Sequence, residues 1–166
     1  MKKLVVYFSR AGENSVNGKI EIIQKGYTEI MAQKIAKMTD SHIFKLEPVV
    51  PYPFNYVECV KRANSETLVD YLHPEFKVDD YEVIFIGFPN WYRSYPRIVA
   101  TFIRNNTWFG KTVIPFCTNE EGAFGIGEAE LTASCKGANI KPGFALRGYD
   151  VEKSDDQLKA WLDKVL

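Results

Sequence analysis

The sequence is poor in the residues that build metal centres and disulfide frameworks. Of its 166 residues only three are cysteine and two are histidine. Cys59, Cys117 and Cys135 stand far apart and form no CxxC pair or Cys/His cluster, so neither a zinc site nor a disulfide framework is expected. An excess of one charge is also missing. Twenty-one basic and twenty-one acidic residues give a formal net charge of zero, which speaks against a duplex-binding surface, and no nucleic-acid partner is expected. No apolar run approaches membrane-spanning length. The opening MKKLVVYF looks superficially like a signal peptide, but its apolar run ends at Phe8 and no small-residue cleavage site follows. A buried first strand accounts for it, and the expected location is cytoplasmic, away from membranes. No repeat, low-complexity tract or linker divides the chain, so residues 1–166 read as one domain.

What is present is an ordinary globular composition, 46% hydrophobic and 14% aromatic, enough for a substantial core. Residues 4–8 (LVVYF), 83–88 (VIFIGF) and 112–117 (TVIPFC) are continuous apolar runs, the pattern of parallel strands covered on both faces. Residues 43–46 and 143–146 read as shorter strands. Helical periodicity marks residues 28–38, 54–72, 96–104 and 128–136. The last helix is the clearest, with Leu158, Trp161, Leu162, Val165 and Leu166 on one stripe after a Ser154-Asp155-Asp156-Gln157 start. Alternation of strand and helix predicts an α/β fold, a parallel sheet with helices on both faces and right-handed crossovers.

Ligands on such sheets bind beyond the carboxyl ends of the strands, which directs attention to three loops. The first, residues 9–27 (SRAGENSVNGKIEIIQKGY), far exceeds the roughly 2–6 residues usual for such a connection. It ends at a helix start, whose unpaired amides and positive dipole end suit a phosphate. Ser9, Asn14, Ser15 and Thr28 are candidate hydrogen-bonding residues, and Gly26 permits close backbone approach. Equally, the segment can be a solvated loop whose Thr28 caps its own helix. No Gly-Lys-Ser/Thr follows the glycines and GxGxxG spacing is absent, which removes the P-loop and counts against a dinucleotide. The second loop, residues 89–96 (PNWYRSYP), sets three aromatics between prolines and offers a stacking surface for a flat ring. Trp91 is assigned to a ligand there and Tyr95 to packing. The third, residues 118–127 (TNEEGAFGIG), has the glycine density that lets backbone approach a ligand, though a plain turn also explains it. His42 and His73 read as surface or strand-edge residues, and Cys117 as a small core hydrophobe with no histidine partner.

Taken in order, YFSRAGEN with VNGKI, KGYTE, GFPNWY, PFCTNEEGAFG and the RGYDV before the last helix resemble the flavodoxins, from the first strand to the last helix. The closest resemblance is to a bacterial branch with an expanded first loop. The resemblance implies a three-layer α/β fold on a five-stranded parallel sheet of order 2-1-3-4-5, with flavin mononucleotide (FMN) at the switch between the first and third strands. Flavodoxin is the standard instance of that rule, and the geometry is taken from the family. It implies phosphate roles for Ser9, Arg10, Asn14, Tyr27 and Thr28 beside Gly26. Ring contacts are implied for Pro89, Asn90, Trp91 and Tyr92, and for Thr118, Glu121, Gly122 and Phe124. Arg93 is expected at the flavin rim, stabilising reduced FMN. The chain departs from the family pattern at Gly26-Tyr27-Thr28, at Tyr92-Arg93 and at Glu120-Glu121-Gly122-Ala123, and it lacks the usual acidic charge.

The function implied is that of an FMN-dependent electron carrier serving redox partner proteins as a monomer or weak homodimer, with no dedicated catalytic residue and no metal. Two alternatives share the fold: an NAD(P)H-dependent FMN quinone or azo reductase, using the first loop and residues 52–56 for nicotinamide, and an interaction domain without flavin. A response-regulator receiver would need acidic residues after the first strand, where Phe8-Ser9-Arg10 stand instead.

Overall fold

The computed structural model describes residues 1–166. In chain order the strands are β1 (Lys3–Tyr7), β2 (Gly12–Val16), β3 (Lys19–Ile23), β4 (His42–Lys45), β5 (Val83–Pro89), β6 (Thr112–Asn119), β7 (Asn139–Ile140) and β8 (Phe144–Arg147). The helices are α1 (Tyr27–Thr39), α2 (Tyr56–Ser65), α3 (Arg97–Arg104), α4 (Gly127–Ser134) and α5 (Asp155–Val165). All strands but β2 and β3 form one parallel sheet in the order β4-β1-β5-β6-β7, with β8 also paired to β6.

The continuous apolar runs are explained by what each sheet face covers. Leu4, Val6, Phe8, Ile84, Ile86, Phe88, Val113 and Cys117 point into one core, beneath Ile98, Phe102 and Leu131 of α3 and α4. Val5, Tyr7, Val83, Phe85, Ile114 and Phe116 point into the other, against Met31 and Ile35 of α1 and Leu158, Trp161 and Leu162 of α5. Neither face meets water, so alternation never shows in the sequence.

Three expectations need correction. The five-strand sheet has six strands, because its last place is shared by β7 and β8. Val113 pairs with Ile140 and Phe116 with Phe144, leaving the sheet unpaired there between Val113 and Phe116. Pro115 and Pro142 fall at that break and lack the N–H a continuous ladder needs. The helix expected over residues 54–72 stops at Ser65. Beyond it, Val49 N–H donates to the Asp70 carbonyl and Leu72 N–H to that of Glu47, drawing the segment alongside residues 47–49.

The third correction bears on function. The first loop contains a β-hairpin: β2 and β3 pair antiparallel, with Val16 opposite Lys19. Its two-residue turn, Asn17-Gly18, has left-handed backbone at both positions (φ 53° and 77°). Right-twisted strands joined by two residues require that conformation, and Asn-Gly supplies it most readily.

Candidate functional site

Strands β1, β5 and β6 lie at the point where strand order reverses, and the loops after them enclose a cleft. Its wall includes Ser9, Asn14, Tyr27, Trp91, Thr118 and Glu120. Buried Ser9 follows β1 and accepts the Glu29 amide at 3.1 Å through Oγ. The amides of Tyr27 and Thr28, one and two residues into α1, have no protein acceptor. They are the ordinary orphan donors of a helix start and carry its positive dipole end. Gly26 lets this start sit against the loop: a Cβ there would fall 2.1 Å from Ser9 Oγ and 2.8 Å from the Arg10 carbonyl oxygen.

The Tyr27 side chain packs flat over Gly148, where a Cβ would stand 2.3 Å from its ring. Burial raises its phenol pKa, with Glu21, Glu120 and Glu152 adding to the shift, so Tyr27 offers the cleft its amide and a neutral ring. The buried Thr28 hydroxyl lies 2.7 Å from that of Thr118. Two hydroxyls sharing one hydrogen bond keep one proton to donate elsewhere.

Arg10 lines the cleft, but its guanidinium is engaged on the other side. It donates to the carbonyls of Pro53 (2.7 and 3.2 Å), Phe54 (2.7 Å) and Asn55 (3.4 Å), and to that of Glu13. It therefore clamps the hairpin base to residues 53–55, and these bonds take up the donors that a phosphate role would need. Asn14 also lines the cleft, with its Nδ2 donating to the carbonyls of Arg10 and Gly12, both at 3.2 Å. That internal bonding leaves only its Oδ1 free.

In the second loop, Trp91 and Ser94 exchange backbone hydrogen bonds of 2.8 and 3.1 Å around a two-residue turn. Tyr92 and Arg93 both take left-handed backbone there (φ 52° and 67°), a conformation disfavoured for residues with a side chain. Trp91 packs edge-on against Phe8 and Tyr52, at centroid distances of 5.3 and 5.2 Å, and also lines the cleft with Pro89 and Asn90. Tyr92 and Arg93 do not line it: Tyr92 is exposed and donates from its phenol to the Val60 carbonyl at 3.3 Å, and Arg93 is exposed. The rim position expected of Arg93 has no contact with this cleft wall. Tyr95 packs against Phe88 at 5.5 Å.

The third loop is organised by Asn119, which the sequence reading did not single out. Its Oδ1 accepts the amides of Glu121 (3.0 Å), Ala123 (3.2 Å) and Gly122. An Asx turn of this kind is signalled by an asparagine at a strand end before a glycine. Glu121, Gly122 and Phe124 lie outside the cleft wall. Phe124 turns inward onto Phe88 and Gly143 instead. Asn90 joins the second and third loops, its amide donating to Thr118 (2.9 Å) and its Nδ2 to Ala123 (3.1 Å). Glu120 reaches from this loop to the hairpin tip, accepting the amides of Asn17 and Gly18 at 2.9 Å each and the Ser15 hydroxyl at 3.4 Å.

Chemically the cleft offers backbone amides, hydroxyls and the Trp91 ring, with Arg10 and Glu120 the charged residues on its wall. Cys117 lies buried at the end of β6 with its thiol pushed up to about 12, chiefly by burial. His42 meets Tyr81 at the far edge of the sheet, and His73 is paired with Asp70. No three His, Cys, Asp or Glu side chains are grouped to hold a metal ion, and no helix is long and apolar enough to cross a membrane.

A doubly wound α/β domain with a ligand cleft at its strand-order reversal is the class these features define. A family model described as Flavodoxin matches residues 2–165, and the chain belongs to the flavodoxin family. A flavoprotein structure from Bacteroides uniformis is similar at 26% identity and TM-score 0.74, covering 98% of this chain and 97% of that one. One from Bacteroides eggerthii gives 24% and 0.75, with 99% and 97% covered. A flavoprotein in complex with FMN from Lactobacillus acidophilus gives 19% and 0.65, with 92% and 97% covered. More distantly, the fold is shared with an NADH:FMN oxidoreductase (13%, TM-score 0.51, 99% and 86% covered) and an oxidised flavodoxin from Bacillus cereus (16%, 0.52, 98% of each). No curated protein matches the sequence.

Proposed function

We propose that the chain binds FMN non-covalently in this cleft and works as an electron carrier between redox partner proteins. The observation that carries the reading is the pair of unpaired amides at Tyr27 and Thr28, opening on a cleft whose opposite wall is Trp91. The donor set fits a phosphate: two helix-start amides, the Ser9 hydroxyl proton and the proton left free by the Thr28–Thr118 pair. Pro89, Asn90 and Trp91 fit the flat ring, with Asn119 holding the loop on its other side. FMN supplies the redox chemistry when bound; this chain binds it, orients it and excludes water.

The reductase reading has one observation in its favour. A chamber of about 220 Å³ adjoins the cleft, walled by Tyr56, Cys59, Val60, Ala63 and Tyr92 and sharing Asn90 and Trp91 with it. The first test is the visible spectrum of protein purified without added cofactor, with chromatography of whatever acid releases. FMN near one per chain is expected, and a colourless protein that takes up no added FMN overturns the proposal. Steady NAD(P)H turnover with a quinone by the isolated, FMN-loaded protein would replace the carrier by the reductase.

A further inference from the structure

The hairpin of β2 and β3 is attached to the domain at its base and near its tip. Its base is fixed. Arg10 clamps it to residues 53–55 as described, the Glu13 amide donates to the Phe54 carbonyl at 3.1 Å, and the Glu13 carboxylate accepts the Tyr56 amide (2.8 Å) and Asn55 Nδ2 (3.0 Å). Its outer strand β3 rests on nothing, with Lys19, Ile20, Glu21 and Ile22 all exposed. Beyond Asn14, every hydrogen bond from the hairpin to the rest of the protein ends on one carboxylate, that of Glu120.

Glu120 stands on the opposite rim, two residues past Thr118, and Ser15, Asn14 and Glu120 all line the cleft. The chain thus encircles the cleft from Ser9, along the hairpin to its tip, and through Glu120 back to β6. We propose that the hairpin is a strap over the cleft and Glu120 its latch, so that the Glu120 bonds to Asn17 and Gly18 set the rate at which the cofactor enters and leaves. This rests on the FMN reading above. The physics is asymmetric in the right way. The tip is held by two amide bonds to a carboxylate and by the buried side chain of Val16 beside them, and it can open locally while the Arg10 and Glu13 bonds keep the base in place. The latch bonds hold the strap, so breaking them speeds entry and exit together.

The test compares Glu120→Ala and Glu120→Gln with the unaltered full-length chain. Glu120 is exposed, so neither substitution disturbs the core. In cofactor-free protein, hydrogen exchange at the Asn17 and Gly18 amides is expected to speed up in Glu120→Ala. Stopped-flow mixing with FMN is expected to give association and dissociation rates each about tenfold higher, as loss of a charged hydrogen bond predicts. Glu120→Gln should fall between. Faster amide exchange with unchanged FMN association would overturn the gate alone. Failure of the unaltered protein to take up FMN would remove the cofactor reading, and the gate with it.

Discussion

Thr28 at the start of α1 and Thr118 near the end of β6 join through buried hydroxyls 2.7 Å apart. This one bond ties the start of α1 to the third loop at the cleft wall. Removing either hydroxyl takes away the other's buried partner, which costs about 1–3 kcal/mol. Thr28→Val and Thr118→Val should each lower the urea midpoint accordingly, while the double variant loses less than the sum of the two. Strictly additive losses would show that the two hydroxyls do not interact.

Gly26→Ala puts a methyl group where Ser9 Oγ and the Arg10 carbonyl already stand, at 2.1 and 2.8 Å. The helix start must move away from the loop at a cost of about 1–3 kcal/mol. FMN uptake should weaken at least about tenfold, because both free amides move with it. Flavin fluorescence titration checks this.

Arg10→Lys distinguishes a clamp from a phosphate ligand. Lysine cannot reach four carbonyls in one plane, so the 53–55 segment and the hairpin base loosen together. Affinity for FMN and for riboflavin should fall by the same factor. A loss confined to FMN would restore the phosphate role.

Cys117 and Cys135 are both buried, and burial pushes both thiols up to about 12. In the unfolded chain they titrate near about 8.5. Their contribution to stability is therefore complete below that value and declines as pH rises from about 8.5 toward 12. Unfolding free energy should fall between pH 8 and 10. At pH 8 the native protein should react slowly with a disulfide reagent, and all three cysteines should react at once in denaturant.

Much of the fold was legible because the buried strands are unbroken apolar runs and α5 carries its stripe openly. The hairpin in the first loop was not, although Asn17-Gly18 marks its turn. Its strands lie over the domain instead of in it, and Glu13, Asn14 and Ser15 give no apolar alternation to read. Helix α2 was overextended because residues 66–72 are held by backbone bonds to residues 47–49, and no local pattern records a partner that distant. Ser9, Thr28, Trp91 and Thr118 were legible as cleft residues. The directions of Arg10, Arg93 and Phe124 were not legible, because residue type announces what a side chain can do, whereas its direction is set by neighbours: four carbonyls, a left-handed turn and Gly143.

The engagement of Arg10 with backbone carbonyls has a consequence for how an anion is met. Arg10 is the sole basic residue on the cleft wall, and its guanidinium hydrogens are given to backbone carbonyls. What remains to greet a phosphate is a set of amides and hydroxyls, whose pull fades within a few ångströms, whereas a free cation reaches about 10 Å at ordinary ionic strength. For the phosphate proposed here, recognition at contact falls to that neutral cradle and its shape, while the Arg10 charge acts only through the long-range field.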